Sequence, residues 1–179
     1  MKKFLWSVFE VAETIVIAVA AVFVVRTFIA QPFLVSGSSM EPGFNNGNYL
    51  LVDELTYRLR NPERGEVVVF KYPKDPNSYF IKRIIGLPGE TVKIEDGRVE
   101  VLSDGESQVL REPYILQKTN AAYFEKTLGP DEYFVMGDNR NFSFDSRSWG
   151  PLPKEDIVGV ARFRLWPFNE AMAFTPPAY

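Results

Sequence analysis

Tyr79-Phe80-Ile81-Lys82-Arg83-Ile84-Ile85 is a run of aromatic, β-branched and cationic residues stopped by Gly86-Leu87-Pro88-Gly89. Side chains alternate across a strand, so this run puts Phe80, Lys82 and Ile84 on one face and Arg83 on the other. It is predicted to be a strand ending in a turn. Two stretches before it read as core strands. Glu66 to Tyr72 contains the buried-type run Val67-Val68-Val69-Phe70, and Tyr49 to Asp53 follows the turn-rich Gly43-Phe44-Asn45-Asn46-Gly47-Asn48. Residues 91 to 94 and 98 to 102 flank Glu95-Asp96-Gly97 as a hairpin, and further strands are predicted at 108 to 111, 132 to 136 and 157 to 165. A short helix is expected over Asp53 to Leu59, with Asp53 as candidate N-cap. The fold class is therefore mainly β. One N-terminal transmembrane helix precedes a single antiparallel β-sheet domain, with residues 103 to 128 as a small β lobe or long loop.

Residues 11 to 30 form a largely apolar run long enough to cross a bilayer. Lys2 and Lys3 precede it, and after Arg26 the next cation is Arg58. The positive-inside rule then leaves 1–10 in the cytoplasm, 11–30 as the anchor and 31–179 outside the cell membrane. Arg26, near the outer end, can snorkel to the interface. A cleaved signal peptide is the competing reading. It requires small residues at a cleavage site, whereas Phe28-Ile29-Ala30-Gln31-Pro32 offers a bulky Phe28 and an obstructing Pro32, so an uncleaved anchor is expected. Ser39, in Ser36-Gly37-Ser38-Ser39-Met40-Glu41-Pro42, lies nine positions beyond Ala30. Fully extended, that tether reaches about 30 Å, which confines the hydroxyl to the membrane surface.

Composition excludes several chemistries. The chain has 179 residues and a net charge of -3 with both signs interspersed, so it lacks the basic field that nucleic acid requires. It has no cysteine, hence neither disulfide nor thiolate site. It also has no histidine, which removes Ser-His-Asp triads and His-ligated zinc. Any hydrolase here needs another base.

Lys82 is a candidate for that base. Between two large apolar neighbours its charged form is poorly hydrated, which lowers its pKa from about 10.4. A fall of about two units raises the neutral fraction at about pH 8 from under roughly 1% to tens of per cent. The other reading is an edge-strand lysine with its head in water. Ser39 carries a similar ambiguity, since Ser, Gly and Pro clusters also make turns. A nucleophilic serine needs a base within hydrogen-bond reach and donors aimed at the oxyanion. Gly37 leaves room for a substrate backbone, and the Ser39 amide is a candidate donor. A third stretch, Met136 to Arg147, is dense in charged and hydrogen-bonding groups and reads as a solvated loop or as a polar scaffold fixing a site. Arg83 needs an anion, for which Asp138 or Asp145 is available.

These stretches together resemble bacterial type I signal peptidase, the leader peptidase family of membrane-bound serine proteases with a Ser-Lys dyad. The resemblance runs in family order through Ser38-Ser39-Met40-Glu41-Pro42, Arg64-Gly65-Glu66-Val67-Val68-Val69-Phe70, Tyr79 to Glu90, and Gly137-Asp138-Asn139-Arg140 through Asp145-Ser146-Arg147. It implies Ser39 as nucleophile and Lys82 as general base, with the Ser39 backbone amide at the oxyanion and Ser143 orienting Lys82. It implies a site held together by Arg83, Asp138, Asp145 and Arg147. It further implies secretory preproteins as substrates, cut after small residues, with no metal or organic cofactor. Two positions depart from the family pattern: Gly37 stands where some members carry an oxyanion-hole serine, and Asn141-Phe142 replaces the more usual Asp-Asn.

Two rival functions belong to other classes. A catalytically inactive, membrane-tethered β module that binds exported chains fits the fold but predicts no turnover. A self-cleaving Ser-Lys repressor needs a DNA-binding N-terminus, where the apolar run stands. Finally, Trp149, Trp166 and Phe168, close to prolines 151, 153 and 167, read either as core or as an exposed apolar rim contacting the lipid bilayer.

Overall fold

The computed structural model describes residues 2–28, 30–103, 105–120, 123–177 and 179, with side chains described in the first helix at 6, 7 and 9–23. That helix, α1 (Lys2–Phe28), leads into β1 (Ala30–Leu34), so the expected anchor gives way to a strand at its last residue. Among the described residues, no helix is long and apolar enough to cross a membrane. The chain continues through β2 (Tyr49–Asp53), α2 (Thr56–Leu59), β3 (Val67–Tyr72) and β4 (Asp75–Gly86). Four strands follow: β5 (Thr91–Glu95), β6 (Arg98–Ser103), β7 (Glu106–Val109) and β8 (Phe124–Thr127). Then come β9 (Glu132–Met136), α3 (Ser146–Trp149), β10 (Leu152–Pro153), β11 (Ile157–Trp166) and β12 (Met172–Ala173).

Among the described residues, eight strands form one sheet in the order β1-β2-β11-β3-β4-β9-β10, with β12 on β11, and four form a second in the order β7-β6-β5-β8. Every pairing is antiparallel. The small lobe thus begins at the 91–102 hairpin rather than at 103, because that hairpin pairs with β7 and β8. The strands expected at 49–53 and 132–136 have the observed bounds, while β1 and β8 carried too little alternation to be read. The short helix begins at Thr56, with Leu55 rather than Asp53 at the N-cap position; Asp53 Oδ1 still accepts from the Leu55 and Thr56 N–H groups at 3.0 Å each.

The unbroken apolar runs have a common cause. On β4, Ile84 enters one core with Val68, Phe70, Tyr133 and Leu152, while Ile85 enters another with Val92, Ile94, Val101 and Phe134. β9 divides likewise, Tyr133 and Val135 against Phe134 and Met136. A third core, of Val35, Met40, Phe44, Leu50, Val67 and Ala161, lies beneath the segment leading to Ser39. Strands buried on both faces have no polar side to alternate with. Trp149 belongs to the core that Ile84 enters, 9% exposed, and is no part of an exposed rim; Trp166 and Phe168 are exposed.

Candidate active site

Ser39 stands in a loop fixed at several points. Met40 and Phe44 are buried in the third core beside it. Gly37 has a φ of 95°, a left-handed conformation that glycine adopts without strain, and its N–H donates to Asn46 Oδ1 at 2.9 Å. From the other side Asn139 holds the loop twice: its N–H donates to the Ser39 carbonyl at 3.0 Å and its Nδ2 to the Ser38 carbonyl at 3.1 Å. Among the described residues the Ser39 N–H donates to no protein group.

Lys82 reaches this loop from β4, whose register opposite β3 pairs it with Val68. Its Nζ donates to Ser39 Oγ at 2.9 Å and to the Ile81 carbonyl at 2.8 Å. The side chain is not an edge lysine in water: the residue is 4% exposed, with Nζ 5.5 Å from the Phe80 ring centre. Burial lowers its pKa from 10.5 to about 8, against the smaller opposing pull of the Asp145 and Asp138 charges. An amine about half neutral near pH 8 and 2.9 Å from a hydroxyl can accept its proton.

Arg83 points to the opposite face, as the alternation requires, and its anion is Asp138. The pair is bidentate, Nε to Oδ1 at 2.8 Å and a terminal nitrogen to Oδ2 at 2.6 Å, while the other terminal nitrogen donates to the Gly65 carbonyl at 2.8 Å. The Tyr114 ring covers the guanidinium at 4.0 Å. Asp145 is taken instead by Arg147, at 2.8 and 2.7 Å, and also accepts from the Gly137 N–H at 3.0 Å. Arg147 goes on to Thr119 Oγ1 and the Arg140 carbonyl, and Arg140 forms a buried ion pair with Glu112. Residues 112 to 120, beside the small lobe, thereby brace the 137–147 loop.

Ser143 lies beside Gly137 and the Ser39 carbonyl, so close that a Cβ at position 137 would overlap both. Its Oγ is buried and makes no hydrogen bond among the described residues; it does not bond to Lys82 as expected. The two lysine bonds go to Ser39 and to the neighbouring carbonyl. Asn141 has an unforeseen structural part: its Oδ1 accepts from the Asn120 N–H at 3.0 Å and its Nδ2 donates to the Lys118 carbonyl at 3.3 Å. Sequence reasoning also missed Asn139, Glu112, Tyr114 and Thr119. Of these only Asn139 carried a signal, its place inside the polar stretch.

A groove of about 360 Å³ runs past the pair. One wall is residues 33 to 39 and the other residues 79 to 82, with Leu50 and Val69 beneath and Phe142 and Phe144 at the rim. Among the described residues β9 pairs with β4 only from Arg83 onward, so the stretch from Tyr79 to Lys82 keeps one edge unpaired. A free edge beside a groove suits an extended peptide added as a strand.

Residues 8–166 match the family described as signal peptidase, peptidase S26. The chain is 41% identical over 174 residues to "Probable signal peptidase I-2" of Synechocystis sp., covering 94% of this chain and 78% of that one. It is 36% identical over 176 residues to "Signal peptidase I" of Leptolyngbya laminosa, covering 94% and 84% of the two chains. With "Signal peptidase I" of Bacillus licheniformis the identity is 34% over 175 residues, covering 92% and 91%. These matches take in the Ser39 loop, β4 and the 137–147 loop alike, and the chain belongs to the signal peptidase, peptidase S26, family of peptidases.

Proposed function

We propose that the protein is a membrane-bound serine endopeptidase that removes signal peptides from exported preproteins after small residues, at Ala-x-Ala type sites. The observation that carries this reading is the 2.9 Å hydrogen bond between Lys82 and Ser39 in a groove with a free strand edge. Neutral Lys82 takes the Ser39 proton as the oxygen attacks the scissile carbonyl, and the unengaged Ser39 N–H donates to the oxyanion. The ammonium of Lys82 then protonates the leaving amine, and Lys82 activates the water that deacylates the enzyme. Ser143 helps to shape the site beside Gly137, and Arg83, Asp138, Asp145 and Arg147 act as its scaffold. Incubating the detergent-solubilised protein with a preprotein bearing an Ala-x-Ala site, then sequencing the new N-terminus, tests the reading. An unprocessed preprotein would leave a module that only binds exported chains.

Burial of Lys82 sets the pH dependence. kcat/KM is expected to fall below an apparent pKa near about 8, because the protonated amine cannot accept the serine proton. The same shift acts on stability. Below pH 8 both folded and unfolded states hold the proton, and the folded state carries the whole cost of burying the charge. Between about 8 and 10.5 only the unfolded state keeps it, so stability rises with pH across that window. Lys82→Met is therefore expected to be more stable than the wild type near pH 7, by about 2–3 kcal/mol, and to lack the rise. Denaturant titrations at pH 7 and pH 10 check this; parallel pH profiles for the two proteins would contradict it.

The proposed membrane placement keeps residues 1–10 in the cytoplasm, passes the apolar run from residue 11 up to β1 through the bilayer, and leaves the β domain from Ala30 onward outside. Supporting contact with lipid beyond that run, Leu34, Tyr49 and Trp166 are exposed and follow one another in register across β1, β2 and β11, with Phe168 edge-on to Trp166 at 4.8 Å between ring centres. A chain shortened to begin at Gln31 is expected to co-float with liposomes and to cleave preprotein faster when lipid is added. Trp166→Ser with Phe168→Ser should weaken both effects. A shortened chain that ignores liposomes would leave the N-terminal run as the sole membrane contact.

A further inference from the structure

The two faces of β4 meet the groove with different chemistry. Ile81 pairs with Val69 and, with buried Leu50 and Val35, forms an apolar floor on one face. Phe80 and Lys82 belong to the other face, where Phe80 stacks on Tyr72 at 4.8 Å between ring centres. Tyr72 in turn holds Phe144 edge-on at 5.9 Å. Phe144 and Phe142 both line the groove, yet they are 53% and 72% exposed. A single exposed ring needs no account. Here two line the rim of one groove, in the loop that Asn139 ties to the main chain of Ser39, so they flank the nucleophile end of the groove.

A peptide extended along the free edge of β4 sends successive side chains to opposite faces. If the small residues first and third before the cut face the floor, the residue between them faces the Phe80 side and meets the two exposed rings. Resting on the cleavage reading above, we infer that Phe142 and Phe144 form a subsite selecting an aromatic or long aliphatic side chain at the second position before the scissile bond. Such a side chain removes apolar surface of all partners from water. A short or charged side chain there leaves both rings solvated. Both are specificity-determining residues. The preference they impose is one of binding and falls mainly on KM.

The test uses the full-length protein in detergent with three otherwise identical preproteins ending in Ala-Phe-Ala, Ala-Ser-Ala or Ala-Glu-Ala before the cut. Wild-type kcat/KM is expected to favour the phenylalanine substrate over the serine substrate by about tenfold, with glutamate poorest. Phe142→Asn together with Phe144→Ser should bring the phenylalanine-to-serine ratio within about twofold of unity. Phe142→Asn alone, at a ring with no ring contact among the described residues, should lower the ratio part of the way and guards against misfolding of the double variant. Equal rates on all three substrates, or a double variant that keeps the wild-type ratio, would overturn the inference while leaving the cleavage reading intact. Failure of the wild type to process any of the three would overturn both.

Discussion

Replacing Ser39 by alanine, or Lys82 by alanine, is expected to lower kcat/KM on a preprotein by about 10⁴-fold or more. The double variant should be no worse than either single one, because the two groups perform one proton transfer and one attack. The geometry gives the reason: Lys82 Nζ has Ser39 Oγ at 2.9 Å, and with no histidine in the chain no imidazole can replace the amine. Lys82→Arg should be equally inactive, since a guanidinium stays protonated at any working pH. Rates measured with single and double variants at saturating and sub-saturating preprotein decide the matter. A Lys82→Ala variant within about tenfold of wild type would remove lysine as the base, and losses that multiply in the double variant would separate the two roles.

Asp138→Ala is expected to cost about 3–5 kcal/mol, because it leaves the Arg83 guanidinium buried without its anion. For a domain of this size the midpoint of thermal unfolding should fall by about 10 °C. Activity should fall with it, since Asp138 leads directly into Asn139 and its two bonds to the Ser38 and Ser39 carbonyls. The partner variant Arg83→Met leaves the carboxylate stranded instead and should be comparably unstable. Combining Arg83→Met with Asp138→Leu removes both charges and should recover part of the loss, a coupling that two independent surface sites would not show. A double variant as unstable as the sum of the singles would mean that the pair contributes through packing rather than through its charges.

Local pattern was enough for the strand content of β2, β3, β4, β9 and β11, because their runs of Val, Ile, Phe and Tyr are bounded by Gly, Pro and Asn. It was also enough to put Lys82 and Arg83 on opposite faces, a consequence of the two-residue period alone. Trp149 was not decidable in this way. The same aromatic beside a proline suits a rim or a core, and only the approach of Phe70 and Tyr72, each at 5.9 Å, places it inside. Nor was the extent of the small lobe decidable, because the 91–102 hairpin gains its partners β7 and β8 from pairing that no local signal encodes.

By itself, the sequence determined a mainly β chain with an apolar N-terminal run, the absence of imidazole and thiol chemistry, and a serine and a lysine as the candidate pair. These follow from composition and from periodicities short enough to read along the chain. Tertiary structure decided that Ser39 and Lys82, 43 positions apart, share a hydrogen bond, that Arg83 takes Asp138 while Asp145 goes to Arg147, and that Ser143 contacts Gly137 rather than the lysine. It alone brought residues 112 to 120 under the loop and left Phe142 and Phe144 open on the groove wall. The physical reason is that several anions and hydroxyls in one polar stretch are chemically equivalent candidates. Which of them a cation meets depends on strand register and on main-chain hydrogen bonds between segments far apart in the chain.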